Sequence, residues 1–321
     1  MKTNTLHIIL CVALCLFATN AANAFSPETY ASHSRLAEGK WVKIKIGESG
    51  VYAISDAQAR QWGFSGVENL RLFGYGGAPI SEKLSDYIDD LPLVPVMRDG
   101  GKMYFYGQGV TTWDSYNDTK LKYRQRQHYY STEAYYFVTE NSAIEELKIE
   151  SEDCAPSASL ESTDQVIGRV FHESELFNPG ETGKYFIGED FQYKSNQTFK
   201  FTLTGLSDLN RDVNVAVLTQ FAANIAEKTG SGVLRFKYNG KSLQSSSSDN
   251  IASVASEYQF VNQTATVKEF TLSNNALEYT VDFTCSGNLN IARLDHITVN
   301  YGRKFSPKNG QFVFGVSDAV N

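Results

Sequence analysis

Leu277-Glu278-Tyr279-Thr280-Val281-Asp282-Phe283-Thr284-Cys285 is the most regular stretch of the chain. Large apolar side chains and Cys285 alternate with polar ones, the period-two pattern of a strand with one face in a core and the other in water. Working outward, the same alternation returns at Phe199, Phe201 and Leu203, at Val213, Val215 and Val217, at Leu234, Phe236 and Tyr238, and at Ile297, Val299 and Tyr301. Asn239-Gly240 follows the third of these and signals a type I′ hairpin. Strands of this kind with turn signals between them predict an antiparallel β-sandwich, jelly-roll-like, over residues 165–321. The 18 Tyr and 20 Phe of the 321 residues agree, because both types favour pleated surfaces.

Residues 25–145 read as a smaller β-rich domain with one short helix. Val42, Ile44 and Ile46 alternate with Lys43 and Lys45; a Gly47-Glu48-Ser49-Gly50 turn and Val51-Tyr52-Ala53-Ile54 follow, which predicts a hairpin. Ser55 with Gln58 three residues on forms a capping box, and Gly63 suits the helix end. Arg98-Asp99-Gly100-Gly101 marks a second hairpin. Residues 146–164 are acidic and rich in small side chains, and read as a linker. The chain is thus mainly β: a small β-rich domain, an acidic linker and a sandwich.

Residues 1–24 carry the marks of an export signal: Lys2, an apolar run over 6–18, and Ala22-Asn23-Ala24 before Phe25. The run is shorter than the ~20 residues of a membrane span, and no later segment is apolar enough, so none is expected after signal cleavage. Cleavage would take the formal charge from −7 to −8 and remove Cys11 and Cys15. Cys154 and Cys285 then remain, whose pairing spacing alone leaves open. The acidic balance argues against nucleic acid as a partner.

No catalytic, cofactor-binding or metal-binding set emerges from spacing. Cys285 shares the phase of a core face, and Cys154 sits among carboxylates that disfavour a thiolate. His33, His128, His172 and His296 lack a second His or Cys at ligand spacing, and His296 falls out of phase with its strand's apolar residues, which predicts exposure to solvent. Asp208, Asn210 and Asp212 resemble the start of a calcium loop but lack its Gly, and read better as a polar turn. One stretch suggests a surface: Lys122, Tyr123, Arg124, Arg126 and Tyr129 interleave cations with aromatics, as in a grip on an anionic polymer, for an exported chain an acidic glycan or a partner protein rather than single-stranded nucleic acid. A charged edge strand that deters aggregation explains the same pattern.

Several motifs recur in a familiar order: ESGVY at 48–52, ENLRLFGYGG at 68–77, DDLPLVPV at 89–96, MYFYGQG from 103, AYYFVT at 134–139, ARLDHITVNY at 292–301 and NGQFVF at 309–314. The succession resembles the N-terminal region of the PorU-like, gingipain-related sortases of the Bacteroidetes type IX secretion system. The resemblance implies an exported protein, in the periplasm or at the outer-membrane surface. Such sortases cleave C-terminal signal domains from secreted cargo and help attach it to anionic lipopolysaccharide. Their His–Cys peptidase domain would lie downstream of Asn321, so no catalytic residue carries over. The expected role is a non-catalytic scaffold or docking region, with a downstream peptidase domain and other secretion components as partners. The alternative is a stand-alone cell-surface module that binds glycan or protein.

Overall fold

The computed structural model describes residues 30–86, 88–116, 120–150 and 164–306. The expected leader, residues 151–163 of the acidic segment with Cys154, and the motif at 309–314 lie outside them.

In the first region, β1 (Val42–Ile46), β3 (Leu70–Phe73) and β8 (Ala134–Glu140) form a sheet in the order β1-β8-β3. A second sheet of β2 (Gly50–Ser55), β4 (Met97–Asp99) and β5 (Lys102–Gly107) has the order β2-β5-β4. Ile46, Leu70, Leu72, Tyr136 and Val138 from one meet Ile54, Met103 and Phe105 from the other in a shared core. The hairpin expected between β1 and β2 does not form. The turn at 47–49 carries the chain from one sheet to the other, so Ile46 and Ile54 reach that core from two sides. β1 pairs instead with β8, whose Ala134, Tyr136 and Val138 are buried. Local sequence proposes a partner; burial selects it.

The helix α1 (Asp56–Gln61) begins as the capping pattern requires: the Ser55 hydroxyl accepts from the Gln58 amide at 3.2 Å. Asp99-Gly100-Gly101-Lys102 closes β4 onto β5 with both glycines at positive φ (52° and 70°), the type I′ geometry. Beyond β8 the chain stays with this region: the Val96 amide donates to the Leu147 carbonyl, the Ile149 amide donates to the Val96 carbonyl, and Arg98 pairs with Glu146 at 2.6 Å. Residues 146–149 of the expected linker are therefore held against the first region.

The second region is a sandwich. One sheet runs β9 (Gln165–Glu173), β17 (Leu289–Lys304), β11 (Val213–Ile225), β15 (Asn262–Leu272). The other runs β10 (Asn196–Thr202), β16 (Ala276–Ser286), β12 (Ser231–Tyr238), β13 (Lys241–Ser242), with β14 (Asn250–Ala252) also on β12. Every pairing is antiparallel, and the chain passes from sheet to sheet except at the Asn239-Gly240 hairpin between β12 and β13 and along the far edge of β12; this order is a jelly roll. The opening stretch behaves as its alternation predicts: Leu277, Tyr279, Val281 and Phe283 are buried against Phe199, Phe236, Phe221 and Leu234, while Cys285 is only partly covered.

One face departs from the amphipathic expectation. On β17, residues 294–302 are all buried, so the side of the sheet away from the core is covered as well. The cover is a hairpin of the first region, β6 (Thr111–Ser115) and β7 (Tyr123–Gln127).

Candidate functional site

The hairpin is fixed to the sandwich by a polar and aromatic seam. The Asn300 amide oxygen accepts from the Lys122 and Tyr123 amides at 3.0 and 2.8 Å, and its nitrogen donates to the Tyr123 carbonyl at 3.0 Å. Arg169 of β9 lies between the rings of Trp113 (4.8 Å) and Tyr123 (5.1 Å), and Trp113 meets Phe171 edge-on. Burial holds the Arg169 guanidinium below its usual pKa. Beside it Leu121 packs on Ala216 and Leu218 of β11.

The stretch singled out for a ligand thus has two faces. Lys122 and Tyr123 are bound into the seam. Arg124, over the Tyr116 ring at 5.3 Å, and Arg126, 3.0 Å from Asp114, point to the exposed side of β7. Tyr129 is 42 % exposed and stacks edge-on with Tyr130, which is 73 % exposed; Lys184 of the second region sits over the Tyr129 ring at 5.2 Å.

At one end of the seam a polar cluster is enclosed. The pairing of β11 with β17 shifts register between Gln220 and Phe221, which face His296 and Leu294, so Asp295 is the extra residue of a β-bulge. The bulge brings Asp295 and His296 together with Glu173, the partner of His296 on β9; one ligand atom from each of the three lies within 4.8 Å of the other two. The expectation that His296 faces solvent is wrong: it is 9 % exposed, because the sheet face predicted to be wet lies at the covered seam. Its Nδ1 is 3.7 Å from Asp295 Oδ1, and its Nε2 is buried without a hydrogen-bond partner.

Groups around the cluster orient it. Gln125 of β7, itself held by Thr298, donates to Glu173 Oε2 at 3.2 Å, and the Tyr185 hydroxyl approaches Asp295 Oδ2 at 3.4 Å. Burial raises the Glu173 carboxyl above the usual range, against the Gln125 hydrogen bond and the His296 charge, which lower it. Glu175, at the rim, is pushed up to about 7 by partial burial and by the Glu173 and Asp295 carboxylates. The Tyr185 phenol is pushed up by burial and by Asp295. A collection of oxygen and nitrogen donors from two strands, with outer-shell partners, is chemically competent to hold a cation. Spacing along the chain hid it: Glu173 and Asp295 lie 122 positions apart, and a bulge is not written in an alternating pattern. The Asp295-His296 pair, polar and adjacent inside an apolar strand, is the one local sign.

Elsewhere the sequence candidates resolve into structure. Asp208 lies in a 3-10 turn that Asn210 ends in the left-handed region, just before β11. Burial and the Glu227 carboxylate raise the Cys285 thiol pKa, opposite to what a nucleophile needs. Gly74-Tyr75-Gly76-Gly77 packs on the chain after β5; a Cβ on Gly77 would lie 2.4 Å from the Gly109 carbonyl carbon.

No family model and no curated protein matches the chain. Among solved structures it is similar to dimeric latent PorU from Porphyromonas gingivalis, with 29 % identity and a TM-score of 0.70 over 85 % of this chain. The chain has the fold of part of that protein. It spans 25 % of the length of the PorU chain. The β-porphyranase of glycoside hydrolase family 86 from Bacteroides plebeius follows at 9 % identity, covering 81 % of this chain and 34 % of that one, with a TM-score of 0.24, too low to carry an argument. No described helix is long and apolar enough to cross a membrane.

Proposed function

We propose that this chain is the non-catalytic N-terminal region of an exported, PorU-like cell-surface sortase, a scaffold that docks the peptidase domain and other secretion components. The observation that carries the reading is the PorU likeness across 85 % of the chain. The seam supports it: Asn300, Arg169 and the apolar contact of Leu121 join the two regions into one platform rather than two beads on a string. A purified chain starting at Phe25 should leave a C-terminal signal-domain substrate intact, and should form a stoichiometric complex with the separately produced peptidase domain of a PorU-like sortase on gel filtration. Cleavage by the chain alone, or no complex at micromolar concentrations, overturns the reading.

A second reading, a glycan-binding module, draws on the exposed Tyr129–Tyr130 pair beside Lys184, Arg124 and Arg126. Aromatic faces next to cations suit an anionic saccharide. Lipopolysaccharide binding lost in Tyr129→Ala and Arg126→Ala would favour it; equal retention by wild type and variants counts against it.

A further inference from the structure

We propose that Glu173, Asp295 and His296 bind a divalent transition-metal ion of the zinc class. The three donor atoms lie within 4.8 Å of one another around a bulge that aims consecutive residues of β17 at one residue of β9. The second, independent sign is His296: it is 9 % exposed, its Nε2 is sealed from water, and no protein group accepts from it or donates to it. Buried polar atoms are almost always satisfied, so such an orphan points to a missing partner. A cation held at the imidazole is that partner.

The surroundings fit a metal better than a structural ion pair. Among the described residues no Lys or Arg is in ion-pair contact with Glu173 or Asp295; the charged neighbour of Asp295 is His296. Metal binding replaces repulsion between the Glu173 and Asp295 carboxylates with coordination. Gln125 on Glu173 and Tyr185 near Asp295 are outer-shell contacts of the kind that hold ligands in orientation. An imidazole ligand disfavours calcium and magnesium, which take oxygen, and favours zinc.

Gln125 comes from β7 whereas all three ligands come from β9 and β17, so the ion would also tighten the hairpin onto the sandwich. The test uses the full chain without a polyhistidine tag, stripped with chelator, titrated calorimetrically with zinc chloride and, in parallel, with calcium and magnesium. Expected are one zinc per chain, a rise in melting temperature with zinc, and no comparable response to the other two ions. Glu173→Gln and His296→Gln should each weaken zinc binding at least ~10-fold, and Gln125→Ala by ~10-fold with the stoichiometry kept. No saturable zinc binding, calcium binding as tight as zinc, or unchanged zinc affinity in both ligand variants overturns the proposal. If either variant fails to fold by circular dichroism, Asp295→Asn decides the matter: weakened binding supports the site and unchanged affinity overturns it. Failure here leaves the scaffold reading standing, since that reading is tested by complex formation.

Discussion

Single residues carry unequal weight at the seam and in the sandwich. Asn300 satisfies two amides and one carbonyl of the hairpin. Truncation to Ala strands three backbone groups, each worth ~1–3 kcal/mol if left unpaired, and part of that cost is relieved by water. Asn300→Ala should therefore lower unfolding stability by about 2–4 kcal/mol in a urea titration; a loss under about 0.5 kcal/mol would mean that the hairpin is not held there. Asp249 is a second such point. It is paired with Lys268 at 2.7 Å, both side chains are buried, and Lys268 also donates to the Gln244 carbonyl and the Ser246 hydroxyl. Removing one member of a buried pair leaves the other charge unsolvated, so Asp249→Ala should cost about 3–5 kcal/mol, while replacing both with apolar residues should cost much less.

At the scale of elements, the hairpin β6–β7 has its own test. Arg169 is held between two aromatic rings, an arrangement that uses its planar guanidinium. Arg169→Lys keeps the charge and loses the stacking, so the hairpin should become more open to protease than in wild type, with the sandwich fragment surviving. Equal cleavage rates would show that the apolar contact of Leu121 suffices. This element was also the hardest to read in sequence. Its strands are short and polar, and β7 puts Arg124 and Arg126 outward and Gln125 inward, so the hydrophobic alternation that revealed β16 is absent. Hairpin turns with glycine at positive φ were legible, as at Gly100-Gly101 and Asn239-Gly240. The β1–β2 hairpin was misread because a turn signal says where the chain bends and not which sheet it enters. The carboxylate–histidine cluster was missed for a related reason: polar residues on an outer strand face look solvated until something is known to cover them.

For the whole molecule, the two regions share an apolar contact that neither hides alone. Ala216 and Leu218 are buried on the side of β11 away from the sandwich core, against Leu121. A fragment starting at residue 164 should therefore bind a hydrophobic dye and self-associate, whereas the full chain should do neither. Acid response is set partly by Glu189. Burial pushes its carboxyl up, but hydrogen bonds from His172 and Ser174, a backbone contact and the His172 charge outweigh burial, so its pKa lies below the usual carboxylate value. A carboxylate depressed in the folded state stabilises above its unfolded pKa and loses that contribution as pH falls through the folded one. Glu189→Gln should thus be less stable than wild type near neutrality, and the difference should shrink below about pH 4.5; a constant difference down to pH 3 would assign the effect to packing. Across the molecule, a jelly-roll-like sandwich was visible from periodicity, and its strand order was not, because order is decided by long-range pairing.

That order has a consequence for how the chain comes to be folded. The sheet β9-β17-β11-β15 is held together at its middle by β17, the last described strand. Until residue 304 has been made, β9 has no neighbour in that sheet and β11 has only β15. The covering hairpin also finds no Asn300 to grip. Folding of the second region must therefore wait for its C-terminal end, and pairing across more than a hundred residues makes the step slow. A chain cut short before β17 would lose the platform as a whole rather than one edge of it.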